Sequence, residues 1–323
     1  MTRPVRPALV RLAQIAVLAG LALLLWHAAD GRAALALLRT ADPIWLAAAG
    51  LALTLQTALS AQRWRVTAAQ LGLHLPMRSA LREYYLAQVV NQSLPGGVVG
   101  DAGRAVRSRG EAGLLVAAQS VVFERLAGQL GLLALLLAGL ALGVLFPGSL
   151  DWPAWLWTSL ATLGAGAVVV TVVASVFARV RGFCRLFAHA VLAPDVRTPQ
   201  VALSLGTAGC NVVAFAFCAW ALDVAMPLVA IVSLVPLILF AMVLPISIGG
   251  WGVRESAAAL LFPVIGATSA EGVATGVAFG LVFLAIILPG VVLPLLRPNS
   301  PVREGITGYI SPNRPKDTSR KDL

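Results

Sequence analysis

Apolar residues in this chain fall in long uninterrupted blocks separated by short polar stretches. A helix needs about 20 apolar residues to cross a bilayer. Blocks of that size cover 8–28, 43–62, 117–146, 155–178, 200–222, 228–247 and 273–296, and each predicts a spanning helix. The stretch 251–268 is shorter and amphipathic at its start; it reads as a full span or as half of a broken one. Counting it gives about eight spans. The expected fold is therefore an all-α, polytopic membrane helix bundle over residues 1–297. A polar, Pro-rich tail at 298–323 is expected to be disordered and cytoplasmic.

Two segments interrupt this pattern in the same way. The first runs Asn91-Gln92-Ser93-Leu94-Pro95-Gly96-Gly97-Val98-Val99-Gly100-Asp101-Ala102-Gly103-Arg104. The second runs Leu244-Pro245-Ile246-Ser247-Ile248-Gly249-Gly250-Trp251-Gly252-Val253-Arg254-Glu255. Each has Leu-Pro, a glycine pair, a further glycine, and then an acid and an arginine. In a bilayer, broken backbone is tolerated only where protein or a wet cavity satisfies the freed groups. A pair of Gly/Pro-interrupted segments, one per half, points to a midplane binding site in a transporter-like pseudo-repeat. The first, with its arm at 81–96, reads as a re-entrant hairpin.

Charge refines this topology. The net charge is +10, with 22 Arg against 2 Lys. Most arginines sit in short stretches between apolar blocks, where they set orientation, so nucleic acid is not an expected partner. Arg63, Arg65, Arg78 and Arg82 precede the first break and Arg104, Arg107 and Arg109 follow it, which suits a hairpin entering and leaving on the cytoplasmic side. Arg179, Arg181, Arg185 and Arg197 mark a further cytoplasmic loop, and the tail is basic. The loops near 147–153, 223–227 and 267–272 hold no Lys or Arg, and only 29–42 is ambiguous. Both termini are then expected in the cytoplasm. Cys184, Cys210 and Cys218 read as small buried hydrophobes, and the three isolated histidines suggest no metal site. No cofactor motif is visible. Gly272, Gly276 and Gly280, and likewise Gly139 and Gly143, are spaced for close helix packing.

Ionisable groups inside apolar blocks need partners. Glu124 and Arg125 are adjacent, so they point about 100° apart on a helix and should reach different partners. Tyr84, Gln88 and Asn91 form one polar stripe; Ser204, Thr207 and Asn211 form another. Such stripes line a cavity or make interhelical hydrogen bonds. Gly249-Gly250 ahead of a helix, with Arg254 in its first turn, suits an anion site. Gly96-Gly97 with Asp101 and Arg104 offers a second version. The alternative is tightly packed turns stapled by Asp101–Arg104 and Arg254–Glu255, or by pairs running across the two breaks, such as Asp101 with Arg254.

These strings, with Ser120-Val121-Val122-Phe123-Glu124-Arg125-Leu126 and Leu288-Pro289-Gly290, resemble the transmembrane region of bacterial lysylphosphatidylglycerol synthases, over 10–296. That region also occurs as stand-alone flippase-like proteins. The resemblance implies a multi-pass protein of the bacterial inner membrane that moves a lipid between leaflets, without the aminoacyl-transferring domain. It implies membrane lipids as partners, with an anionic or aminoacylated phospholipid or a polyprenyl-linked lipid as substrate; a homo-oligomer stays open. The expected substrate-binding residues are Tyr84, Gln88, Asn91, Gln92, Gly96, Gly97, Asp101, Arg104, Glu124, Arg125, Asn211, Gly249, Gly250, Arg254 and Glu255. Arginine would pair with phosphate, while Asp101, Glu124 or Glu255 would meet a cationic head group or a coupling proton. Two other readings compete: an integral-membrane hydrolase of polyprenyl diphosphate, and a non-catalytic partner in an envelope lipid pathway. Against the hydrolase, Ser93 and Ser247 lie before the glycines and no histidine is near.

Overall fold

The computed structural model describes residues 31–94, 97–110, 112–145, 177–242 and 249–288, with short pieces between 153 and 165. The expected first span at 8–28, most of 155–178, Gly96 and the tail lie outside these residues. The described elements are helical: α1 (Gly31–Arg39), α2 (Pro43–Gln70), α3 (Met77–Ser93), α4 (Val99–Ser108), α5 (Gly113–Leu145), α6 (Ala178–Leu192), α7 (Arg197–Trp220), α8 (Leu228–Ala241), α9 (Val253–Leu261), a 3₁₀ turn (Phe262–Ile265) and α10 (Ser269–Ile287).

Four of these, α2, α5, α7 and α10, are long and apolar enough to cross a membrane. Their outward faces are apolar, with Leu51 74% exposed and Leu55, Leu130 and Leu137 also exposed. Several charged side chains are buried instead. That reversal of the soluble pattern fits a solvent of lipid tails. The chain is a multi-pass membrane protein by this pattern. The stretch 251–268 is not one continuous span. Nine residues of α9 rise only about 14 Å, against a hydrocarbon core of about 30 Å. The turn at Phe262–Ile265 ends on Gly266 in the left-handed conformation, and the chain doubles back into α10.

Helix ends follow local chemistry. Asp42 accepts the Ile44 N–H at 2.7 Å, with Pro43 at the first helical position of α2. Thr268 and Glu271 form a reciprocal capping box at α10. Close packing follows the small residues. A Cβ on Gly131 would lie 2.6 Å from the Ser204 carbonyl oxygen, and one on Gly139 would overlap the Val232 carbonyl, so α5 presses on both α7 and α8. Gly272, Gly276 and Gly280 seat α10 against Ala258, Glu255, Arg254 and Trp251. The expected packing role of this stripe holds, and what it packs against is the second break. Phe215, Phe262 and Phe279 centre the apolar core between α7, α9 and α10, with Phe215 and Phe279 ring centres 5.6 Å apart.

Of the cysteines, Cys218 is buried as expected, but Cys184 is exposed on α6, whose described residues include none classed as buried before Ala190. The expectation of three buried cysteines fails there because α6 makes only slight contact with the rest of the bundle.

Candidate functional site

The first break makes an antiparallel hairpin. Helix α3 ends at Ser93, the chain turns through Gly97 with φ of 61°, and α4 returns. Contacts along its length hold its arms together. Asn91 accepts the Gly100 N–H at 2.7 Å and donates to Asp101 Oδ2 at 3.0 Å. Gly100 lies so near the Ala87 carbonyl that any side chain would overlap it. At the other end Arg107 Nε pairs with Glu83 at 2.5 Å.

This hairpin lies against α2 and α5, and a buried ionic network fills the junction. Glu124 of α5 is its centre, with 0% exposure. Its Oε1 accepts from Arg63 Nη2 at 2.6 Å, Arg63 Nε at 3.2 Å and the Tyr84 hydroxyl at 3.0 Å. Its Oε2 accepts from Arg104 Nη2 at 3.1 Å. The same Nη2 lies 3.1 Å from Asp101 Oδ1. Arg125 pairs with Asp101 Oδ2 and also donates to the Gly97 carbonyl at 3.0 Å. The guanidinium of Arg104, 1% exposed, lies over both Trp64 and Tyr84, 4.4 Å from each ring centre. Among the described residues its Nε and Nη1 have no hydrogen-bond partner.

Adjacent Glu124 and Arg125 therefore do reach different partners, as their angular separation requires. The stripe Tyr84, Gln88, Asn91 also reaches outward, to Glu124, Thr57 and Asp101 in turn. Asn211 does less: its amide donates to its own helix at the Thr207 carbonyl, 3.2 Å away. In the second stripe Thr207 matters more, because it accepts from Arg63 Nη1 at 2.5 Å.

Arg63 is the residue that sequence reasoning misplaced. It stands just past an apolar block ending at 62 and reads as a loop charge. Helix α2 in fact runs on to Gln70, and Arg63 is buried, pressed so close to Gly128 that a Cβ there would lie 2.6 Å from its Nη2. A signal was present. Thr57, Ser60, Trp64 and Thr67 continue a helical stripe of small, polar and aromatic residues through the arginine. Trp64 donates to Ser120 at 3.0 Å, and Gln200 donates to Thr67 at 2.8 Å.

The second break is assembled on α9. Gly249, Gly250 and Gly252 all have positive φ, a conformation that disfavours side chains. Arg254 is 1% and Glu255 3% exposed. They pair with each other through Arg254 Nε at 3.0 Å and Nη2 at 2.5 Å to Glu255 Oε1. Glu255 Oε2 accepts the Gly252 N–H at 2.6 Å. The helix start expected to receive an anion is thus occupied by the chain's own carboxylate. Arg254 lies over Trp251 and Phe279, at 5.0 and 5.4 Å.

The two breaks meet at one point. Gly249 lies against the Gln92 side chain, and a Cβ there would overlap Gln92 Oε1. Among the described residues no ion pair crosses this junction. Asp101 pairs with Arg104 and Arg125, and Arg254 with Glu255. The expected cross-break pair of Asp101 with Arg254 is replaced by these local ones, because each arginine finds a carboxylate within its own break or on α5. Among the described residues no cluster of His, Cys, Asp and Glu could hold a metal.

Comparison with known proteins agrees with the resemblance. The family model described as lysylphosphatidylglycerol synthase TM region matches residues 11–290. No curated protein and no solved structure matches the chain significantly.

Proposed function

Since the chain belongs to the lysylphosphatidylglycerol synthase transmembrane-region family, and is thus an integral membrane protein related to lipid handling, we propose that it carries a lipid head group between the leaflets of the bacterial inner membrane. In this reading the broken segment 251–268 counts as the eighth crossing, as half of an interrupted span, which keeps both termini in the cytoplasm. The α3–α4 hairpin is a re-entrant element, and the break before α9 is its counterpart.

The observation that carries the proposal is the network of Arg63, Arg104, Asp101 and Glu124, buried among helices whose outer faces are apolar, with the half-exposed Arg125 at its edge. Burying charges in a bilayer protein is costly, and such groups mark substrate paths. A head group crossing hydrocarbon needs its water replaced by fixed polar partners. Arginines gathered at the hairpin from α2, α4 and α5, joined to a second break at Gln92 and Gly249, supply such partners while the tails remain in lipid.

Reconstitution tests this. Proteoliposomes with head-group-labelled phospholipids should lose inner-leaflet protection faster than protein-free vesicles. No acceleration with any phospholipid or polyprenyl-linked lipid would overturn the proposal. Phosphate release from a polyprenyl diphosphate in the same vesicles would favour the hydrolase reading in its place.

A further inference from the structure

The head-group class follows from which atoms of the first site are already used. We infer that the Arg104 site selects an anionic phosphodiester whose head group carries hydroxyls and no amine; this rests on the lipid-translocation reading above.

Three guanidiniums, Arg63, Arg104 and Arg125, face two carboxylates, Asp101 and Glu124, which leaves one positive charge. Both carboxylates are committed. Glu124 holds Arg63, Arg104 and Tyr84, and Asp101 holds Arg104, Arg125 and Asn91. At the second break Glu255 holds Arg254 and the Gly252 N–H. No carboxylate of these networks is left to receive an ammonium group, which would also meet the surplus positive charge.

The unused capacity is of the opposite kind. Trp64 and Tyr84 occupy the faces of the Arg104 guanidinium, so its in-plane donors Nε and Nη1 remain without partners among the described residues. Unmet donors on a side chain 1% exposed suit a phosphate, which accepts charge-assisted hydrogen bonds in the plane of the fork. Arg125, whose side chain is 40% exposed, stands at the outer edge of the same network. It offers the first contact while staying paired with Asp101. Along α3, Tyr84, Gln88 and Gln92 follow at intervals of four and share one face. The Gln88 and Gln92 Oε1 atoms are buried without partners among the described residues, and both are acceptors. Gln88 lies one turn along α3 from Tyr84, which touches Arg104, and Gln92 lies a further turn on, against Gly249. Acceptors along this face call for hydroxyl donors on the head group.

The test uses purified, full-length protein in detergent. Short-chain phosphatidylglycerol, phosphatidylmethanol, phosphatidylethanolamine and lysylphosphatidylglycerol are titrated, with soluble glycerol phosphate as the lipid-free arm, and apparent affinity is read from thermal stabilisation. Phosphatidylglycerol should bind at least ~10-fold more tightly than either amine-bearing lipid, and more tightly than phosphatidylmethanol. Glycerol phosphate should compete, which would show that the head group alone is recognised. Gln92→Leu should erase the preference over phosphatidylmethanol while keeping discrimination against amines. Arg104→Gln should remove binding of both anionic lipids; the wild-type series stands independently if that variant does not fold. Equal or tighter binding of an amine-bearing lipid would overturn the inference. Selective binding without translocation would sink the translocation reading alone. Translocation at one rate for every head group would sink the inference alone.

Discussion

Both breaks place a buried arginine over two aromatic rings beside a glutamate, but Arg104 and Arg254 end in different states. Arg254 is paired with its sequence neighbour Glu255, which also caps its own helix. That site is neutral, local and closed, and the glycine stripe of α10 is seated against it. Arg104 sits in a network drawn from α2, α3, α4 and α5 that, with Arg125, holds one excess positive charge and, among the described residues, two unpartnered donors on Arg104. A repeated motif has produced one staple and one unsaturated site. The difference arises from α2 and α5, which bring Arg63, Trp64 and Glu124 to the first break.

The largest effect should come from removing the shared anion. Glu124→Gln leaves Arg63 and Arg104 without their common carboxylate, and breaking a buried pair costs about 3–5 kcal/mol. Glu255→Gln releases only one arginine and keeps a polar cap, so its loss should be smaller. Denaturant unfolding in micelles would rank the two; equal losses would erase the distinction between staple and network.

Next comes packing at the second site. Gly280→Ala drives a methyl into Arg254 and Trp251, and overpacking of this kind costs about 1–3 kcal/mol. The same measurement should find Gly276→Ala milder, because the nearest atoms there are 3.3 Å from the added carbon, on Glu255.

A double-mutant cycle sharpens the comparison further. Asp101 and Arg104 should couple by about 0.5–3 kcal/mol, whereas Asp101 and Arg254 should be additive within about 0.5 kcal/mol. Strong coupling of the second pair would mean that the ion pairs do cross the junction. The smallest effect is expected at the hairpin's outer end. The Arg107–Glu83 pair is partly exposed, and Arg107→Ala should cost about 0–1 kcal/mol.

Much of this was legible in the sequence. The paired breaks and the divergence of Glu124 from Arg125 follow from spacing alone, whereas the Asp101–Arg104 and Arg254–Glu255 staples were one of the alternatives that spacing left open. The Gly272–Gly276–Gly280 stripe announces a close helix contact but not its partner, since spacing gives a face and not a neighbour. Arg63 was hidden because hydropathy ends a span where charge begins, although a helix continues wherever a buried partner compensates the charge. The unmet donors of Arg104 were equally invisible. They depend on Trp64, Tyr84 and Glu124 converging from three helices, which tertiary packing alone decides.

The most direct test is lipid translocation by Arg104→Gln and Arg254→Gln side by side, in proteoliposomes matched for folded protein. The account predicts that Arg104→Gln slows phosphatidylglycerol translocation by ~10-fold or more, equivalent to about 1.4 kcal/mol, while Arg254→Gln stays within about 3-fold of wild type. Full activity in Arg104→Gln with loss only in Arg254→Gln would contradict it and move the site to the second break.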